Sequence, residues 1–220
     1  MSHIPEWLRA HMNESQLAKI EESIRKAELS TDGEIVPMIV QGSGHRGSIP
    51  IVLFFAVYAS LMTVEPFLHA YLVDIGLSLS LFVPLAMIVS AALAYTLGGS
   101  VWLYRQLTPN SLKAFYVEQR AQAEFYKRGL DKTENATGVL LFISMAEHQA
   151  IVLADQGIAD KVDEDTWTKT LDDLLGAFKA SNYIGGLERA IESIGKILSP
   201  HFPKTPGNQN ELKNHLIIGD

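Results

Sequence analysis

Between residues 155 and 165 the chain places five carboxylates, Asp155, Asp160, Asp163, Glu164 and Asp165, against a single lysine, Lys161. Oxygen-only clusters of this kind suit a hard cation, Ca2+ or Mg2+, and the stretch falls between a strand and a helix, where loop ligands can converge. The spacing is not that of an EF-hand. A plainer reading stands beside it: Asp163 caps a helix, and Glu164 and Asp165 oppose its dipole. His148 sits in a short connection, as a solvated imidazole or a general base. Glu65, His69 and Asp74 border a long apolar stretch; ionisable groups inside a membrane would line a pathway, whereas groups at its edge need only be solvated. No P-loop, GxSxG or HExxH motif is present, and no nucleophile–base pair stands out. With no cysteine in the chain, disulfides, thiolate metal sites and a cysteine nucleophile are excluded.

The elements that must position these residues are unevenly distributed. The chain has 220 residues and is 47% apolar, and of its 18 basic and 25 acidic side chains only Glu65 and Asp74 lie between Gly47 and Tyr104. Its mean hydropathy is positive in spite of those charges, which excludes a disordered chain and a purely soluble globule. A net charge of −7 and a pI near 5.5 argue against a nucleic-acid partner, whose phosphates call for clustered Lys and Arg.

Ile49 to Val64 reads IPIVLFFAVYASLMTV, and Ile75 to Tyr104 carries no formal charge. A bilayer core needs about 20 helical residues per crossing, so each run is long enough to span. Both are apolar all round, unlike a soluble helix with its polar face. Pro50 and Pro84 are compatible with membrane helices. Arg46 precedes the first run and Arg105 and Lys113 follow the second, while the connection Glu65 to Ser78 has no Lys or Arg. The positive-inside rule places both flanks in the cytoplasm. The opening Met1-Ser2-His3-Ile4-Pro5-Glu6 lacks the basic start of a signal peptide. Ala91, Ala94 and Gly98 form a small-residue stripe on the second run, open to the first run or to a second copy.

The flanks read as one interrupted domain. Asn13 and Gln16 form a capping box for an amphipathic helix bearing Leu17, Ile20, Ile24 and Ala27. Ile4, Trp7, Leu8 and Met12 upstream have helical spacing, for packing on the domain or for a membrane surface. Glu34 to Val40 is a strand covered on both faces. Its partners must come from beyond the apolar block: a helix from Pro109 to about Arg128 closed by Gly129, a hairpin of Gly138 to Ile143 with Ala150 to Leu153, a helix from Glu164 to Lys179, and a last helix from Gly185 to Leu198. Pro200, Pro203 and Pro206-Gly207 end regular structure, leaving a tail with at most one helical turn near Leu212. The expected parts are residues 1–47, 48–105, 106–199 and a Pro-rich tail, 200–220.

These flanks resemble a family. Thr31-Asp32-Gly33-Glu34-Ile35-Val36-Pro37 is similar to the opening of the TPM domain, named for a thylakoid-lumen protein, a photosystem II repair protein and a nematode receptor modulator. Thr137-Gly138-Val139-Leu140-Leu141-Phe142-Ile143-Ser144 resembles its central strand, and Tyr183-Ile184-Gly185-Gly186-Leu187 the step before its last helix. The resemblance covers residues 13–42 and 109–198 and implies an α/β fold, a three-layer sandwich with a short central sheet, here split by an inserted transmembrane helical hairpin. Members are usually membrane-tethered; a few look like acid phosphatases or bind calcium. Where the family has a G-Y-G loop, Asp155-Gln156-Gly157 keeps only the last glycine. Glu34 matches the family's glutamate, which makes Asp155, Asp160, Asp163 and Glu34 the candidate metal set, for Ca2+ or Mg2+.

The resulting expectation is a membrane-anchored interaction module in the bacterial inner membrane. Its domain and both termini would be cytoplasmic, and it would serve assembly, repair or regulation of other membrane or envelope components. Its expected partners are the lipid bilayer, a membrane or envelope protein and a second copy of itself. The alternative is a metal-dependent phosphatase at the membrane surface, disfavoured because Lys161 alone would assist phosphate chemistry.

Overall fold

Every residue of the strand β1 (Glu34–Val40) is buried, and the domain is assembled on its two faces. The computed structural model describes residues 4–44, 47–74, 79–133, 135–206 and 211–219. In chain order the helices are α1 (Glu6–Arg9), α2 (Glu14–Glu28), α3 (Ser48–Asp74), α4 (Leu79–Leu97), α5 (Val101–Leu107), α6 (Asn110–Lys127), α7 (Gln156–Ala159), α8 (Thr168–Lys179) and α9 (Tyr183–Leu198). The other strands are β2 (Gly138–Ser144), β3 (Gln149–Ala154) and β4 (Ile217–Gly219). The chain divides into two units, Met1–Ser43 with Lys113–Asp220, and Gly44–Leu112.

In the first unit the sheet order is β3-β2-β1-β4. β1 runs parallel to β2, with Glu34 opposite Gly138, and parallel to β4, with Met38 opposite Ile217. β2 and β3 form the antiparallel hairpin, turning through His148 at φ 53°. Side chains alternate along a strand with period two. Ile35, Ile39, Val139, Leu141 and Ile143 therefore join the core beneath α2, α8 and α9. Val36, Met38, Val40, Leu140 and Phe142 meet Val117, Ala121 and Phe125 of α6 on the opposite face. Helices on both sides of a mixed four-stranded sheet make the α/β sandwich expected from the sequence.

The α2 capping box is complete: Asn13 Oδ1 accepts the Gln16 N–H at 3.0 Å and Gln16 Oε1 accepts the Asn13 N–H at 2.8 Å. Ile4, Leu8 and Met12 are buried in the α2–α9 core, so this segment packs on the domain and not on a membrane surface. Two expectations need correction. The helix assigned from Glu164 opens as a 3-10 turn over Glu164–Trp167, because the Thr166 N–H bonds the Asp163 carbonyl at 3.0 Å and tightens the first turn. The region 200–220 is not an irregular tail, since Ile217–Gly219 pair with β1. Three residues are too few to show a periodic pattern, and it is the free edge of β1, with unpaired N–H and C=O groups, that makes them a strand.

The second unit contains two helices long and apolar enough to cross a membrane, over Ser48–Phe67 and Ser80–Leu97. α3 runs on through Pro66 to Asp74, so the expected connection from Glu65 is helical for most of its length; His69 Nδ1 lies 2.7 Å from Glu65 Oε1, one turn back. Residues 75–78 and Arg46, used above for connection and orientation, lie outside the described residues. Ala86, Ser90 and Ala94 are the buried stripe of α4, continued by the buried Gly98 just past its end, whereas Ala91 is exposed. A Cβ on Gly98 would come within 2.6 Å of Pro50 Cγ. The small residues thus let α4 approach α3 of the same chain.

Candidate functional site

The N-terminal ends of β1 and β2 and the C-terminal end of β3 meet at one end of the sheet, with Glu34 opening β1 and Asp155 following β3. The Asp155 N–H donates to the Gly138 carbonyl at 2.9 Å. One oxygen of its side chain caps α7 by accepting the Gln156 N–H at 2.7 Å; the other, Oδ2, is buried without a protein hydrogen-bond partner. Gly157 is required here by close approach: a Cβ would lie 2.7 Å from the Ala136 carbonyl oxygen and 2.9 Å from that of Asn135. Asp160 accepts from the Gln156 side chain at 2.6 Å. Asp163 occupies the N-cap position of the 3-10 turn, but its side chain makes no capping bond. Lys161 Nζ sits over the Phe202 ring, 4.5 Å from its centroid, a cation–π contact.

Glu34 is only 3% exposed. Its two oxygens accept the N–H groups of Glu211 and Leu212, each at 3.3 Å. Burial raises its pKa, with the nearby Glu211 charge adding to the effect, while those two N–H bonds and Lys204 oppose it. Among the described residues no three His, Asp or Glu side chains are grouped as a metal ion would need. Asp155 and Asp160 bond within α7, whereas Glu34 bonds the distant Glu211 and Leu212.

What the sequence reading missed is that Glu34 belongs to a second group. Glu28, near the end of α2, is buried, accepts the Ile35 N–H at 2.9 Å and is bonded by the Asn214 side chain. Its pKa is pushed up to about 8, chiefly by burial and further by the Glu34 charge, against the bonds from Ile35 and Asn214 and the charge of Lys204. Asp32 accepts from the Thr205 N–H at 3.0 Å and from its hydroxyl at 2.6 Å, and pairs with Lys204 at 3.8 Å. Thr31 donates to the Phe202 carbonyl at 2.7 Å. Three acids, Glu28, Asp32 and Glu34, therefore hold down the segment leading to β4. A signal for Glu28 was present: it lies four residues after Ile24, on the apolar stripe of α2, where a charge is out of place.

At the opposite end of the sheet Ser43 and Glu147 close a small polar cluster. The Ser43 N–H donates to Glu147 Oε2 at 3.0 Å and its hydroxyl to Ser144 Oγ at 2.9 Å, and Ser144 bonds Glu147 in turn. Arg120 donates to the Gly42 carbonyl. These bonds fix the end of β1 from which the chain leaves for the apolar helices.

Residues 104–197 match the family model described as the TPM domain. The fold is similar to that of the BA42 protein from the psychrophilic bacterium Bizionia argentinensis, known from an NMR structure: the TM-score is 0.60 at 21% identity, covering 100% of both chains. No curated protein matches the chain.

Proposed function

We propose that this chain, which carries a TPM domain, works as a membrane-anchored module that binds another membrane or envelope component and serves its assembly, repair or regulation. The observation that carries this reading is the pair of helices inserted between β1 and α6. Ile51, Phe55, Phe67, Leu81, Ile88 and Tyr95 on them are all exposed, and an apolar surface of this extent has to be covered. A helix satisfies its own backbone groups, so lipid is a fitting cover. The basic Arg105 and Lys113 that follow α4 put the domain on the cytoplasmic side by the positive-inside rule, and in a bacterium the membrane would be the inner one.

The test has two parts. The full-length protein should sediment with membranes after an alkaline carbonate wash, and cross-linking in native membranes should capture a specific membrane protein through the TPM domain. Release by the wash would overturn the anchoring, and capture of copies of itself alone would replace the partner by a homo-oligomer.

The second reading, a metal-dependent phosphatase, is favoured by one observation, the buried and unpartnered Oδ2 of Asp155. Phosphate-ester hydrolysis that requires Mg2+ or Ca2+ and is lost in Asp155→Asn would establish it in place of the interaction module.

A further inference from the structure

We infer that α5 is an interfacial helix, embedded in the headgroup–acyl boundary of a lipid bilayer, where it fixes the depth at which the chain leaves the membrane; this rests on the membrane anchoring proposed above. Gly98, just past α4, lies against Pro50 in the first turn of α3, so the start of one helix and the end of the other share one level. The chain leaves the α4 axis at Ser100, whose backbone is extended at φ −68° and ψ 121°. α5 begins at the next residue and touches α3. Its position is therefore at the rim of the apolar pair and not along it.

The faces of α5 fit that position. At 100° per residue Trp102, Gln106, Leu103 and Leu107 fall within an arc of about 140°. Trp102 is 65% exposed and Leu107 46% exposed; Gln106 is exposed and Leu103 half-buried. The remaining side of the helix holds Tyr104, 1% exposed, with Val101 and Arg105 half-buried. A tryptophan with two leucines and a single uncharged polar group is poorly suited to bulk water. Such a face suits the zone where an indole ring can bury its body and keep its N–H wet. A lipid surface is the occupant because α5 continues directly from the apolar helices, so the bilayer that covers those reaches α5 without a further partner.

The full-length chain contains no cysteine, which permits single labels. The variants Ile88→Cys, Leu103→Cys, Gln106→Cys and Leu107→Cys would each carry an environment-sensitive fluorophore, reconstituted in phosphatidylethanolamine–phosphatidylglycerol vesicles. The vesicles would contain lipid with a nitroxide either at the headgroup or deep in the acyl chain. The expected ratio of shallow to deep quenching is above one for the labels on α5 and below one for Ile88→Cys. Gln106→Cys removes no apolar contact and keeps the test open if a leucine variant misfolds. If the α5 labels respond only to aqueous iodide, or to neither lipid, while the Ile88→Cys label is quenched by the deep probe, α5 is not interfacial and the anchoring stands. Loss of lipid quenching at Ile88→Cys as well overturns both.

Discussion

The stretch Asp155–Asp165 and the group Glu28, Asp32 and Glu34 are both rich in carboxylates, and the structure treats them in opposite ways. In the first, acids crowd along the chain and are used within a few residues of themselves: Asp155 caps α7 and Asp160 bonds Gln156, while Glu164 and Asp165 are exposed. In the second, three acids from α2, the following turn and β1 are all buried, and their partners Lys204, Thr205, Glu211, Leu212 and Asn214 come from more than 160 residues away. Crowded charge in a sequence marks a surface that water can serve. An acid set singly among apolar residues marks a place where the fold must supply the partners, because burying a carboxyl without them is costly.

The largest effect should come from removing residues 203–220. That deletion takes away the Thr205 and Lys204 contacts of Asp32, the N–H donors to Glu34, the Asn214 bond to Glu28 and the strand β4. The domain should lose about 3 kcal/mol or more in denaturant unfolding of the detergent-solubilised protein. A loss within experimental error would mean that the acid group does not depend on the C-terminal segment.

pH sharpens the contrast next. Glu28 has its folded pKa raised to about 8, well above the ordinary value of a glutamate; the unfolded chain therefore gives up this proton first. Its contribution to stability is present in full below the unfolded pKa and is lost as pH rises through the folded one. Stability should fall by up to about 1.4 kcal/mol per pH unit across this window. Glu28→Gln keeps an acceptor for the Ile35 N–H and cannot ionise, so its stability should vary less with pH; an unchanged slope would assign the dependence elsewhere.

A smaller effect is expected in the acidic stretch. Asp155→Ala removes the cap of α7 and should cost about 1 kcal/mol, read as a lowered melting temperature. Under the interaction-module reading this cost is the same with and without Ca2+ or Mg2+. A cation-dependent stabilisation of the parent protein that vanishes in Asp155→Ala would instead bring the stretch and the buried group closer in kind. The smallest effect belongs to Asp165→Asn, an exposed site, where the change should stay within about 0.5 kcal/mol; a larger loss would show that this acid has a partner.

Local patterns were enough for most elements of the domain. Asn13 and Gln16 mark a helix start because a capping box is made by neighbours three residues apart. Glu34–Val40 and Gly138–Ile143 read as doubly covered strands because their apolar runs have no solvated face. The limits appear where the partner is distant. Glu34 was read with Asp155, Asp160 and Asp163 through a family resemblance, whereas its bonds go to Glu211 and Leu212. Nothing within the short run Leu216-Ile217-Ile218 announces a strand.

Periodicity, capping residues and long apolar runs were legible in the chain because each is written within a few turns or one strand, at distances that backbone geometry alone prescribes. They specify which segments form helices and strands, that the domain is interrupted, and that Gly98 belongs to a stripe of small residues. The choice of Pro50 as the neighbour of Gly98, of β1 as the edge for Ile217–Gly219 and of the C-terminal segment as the cover for Glu28, Asp32 and Glu34 came from chain closure over large sequence separations. There burial energy selects among many pairings, and no local signal encodes the one that fills the space and satisfies the buried polar groups.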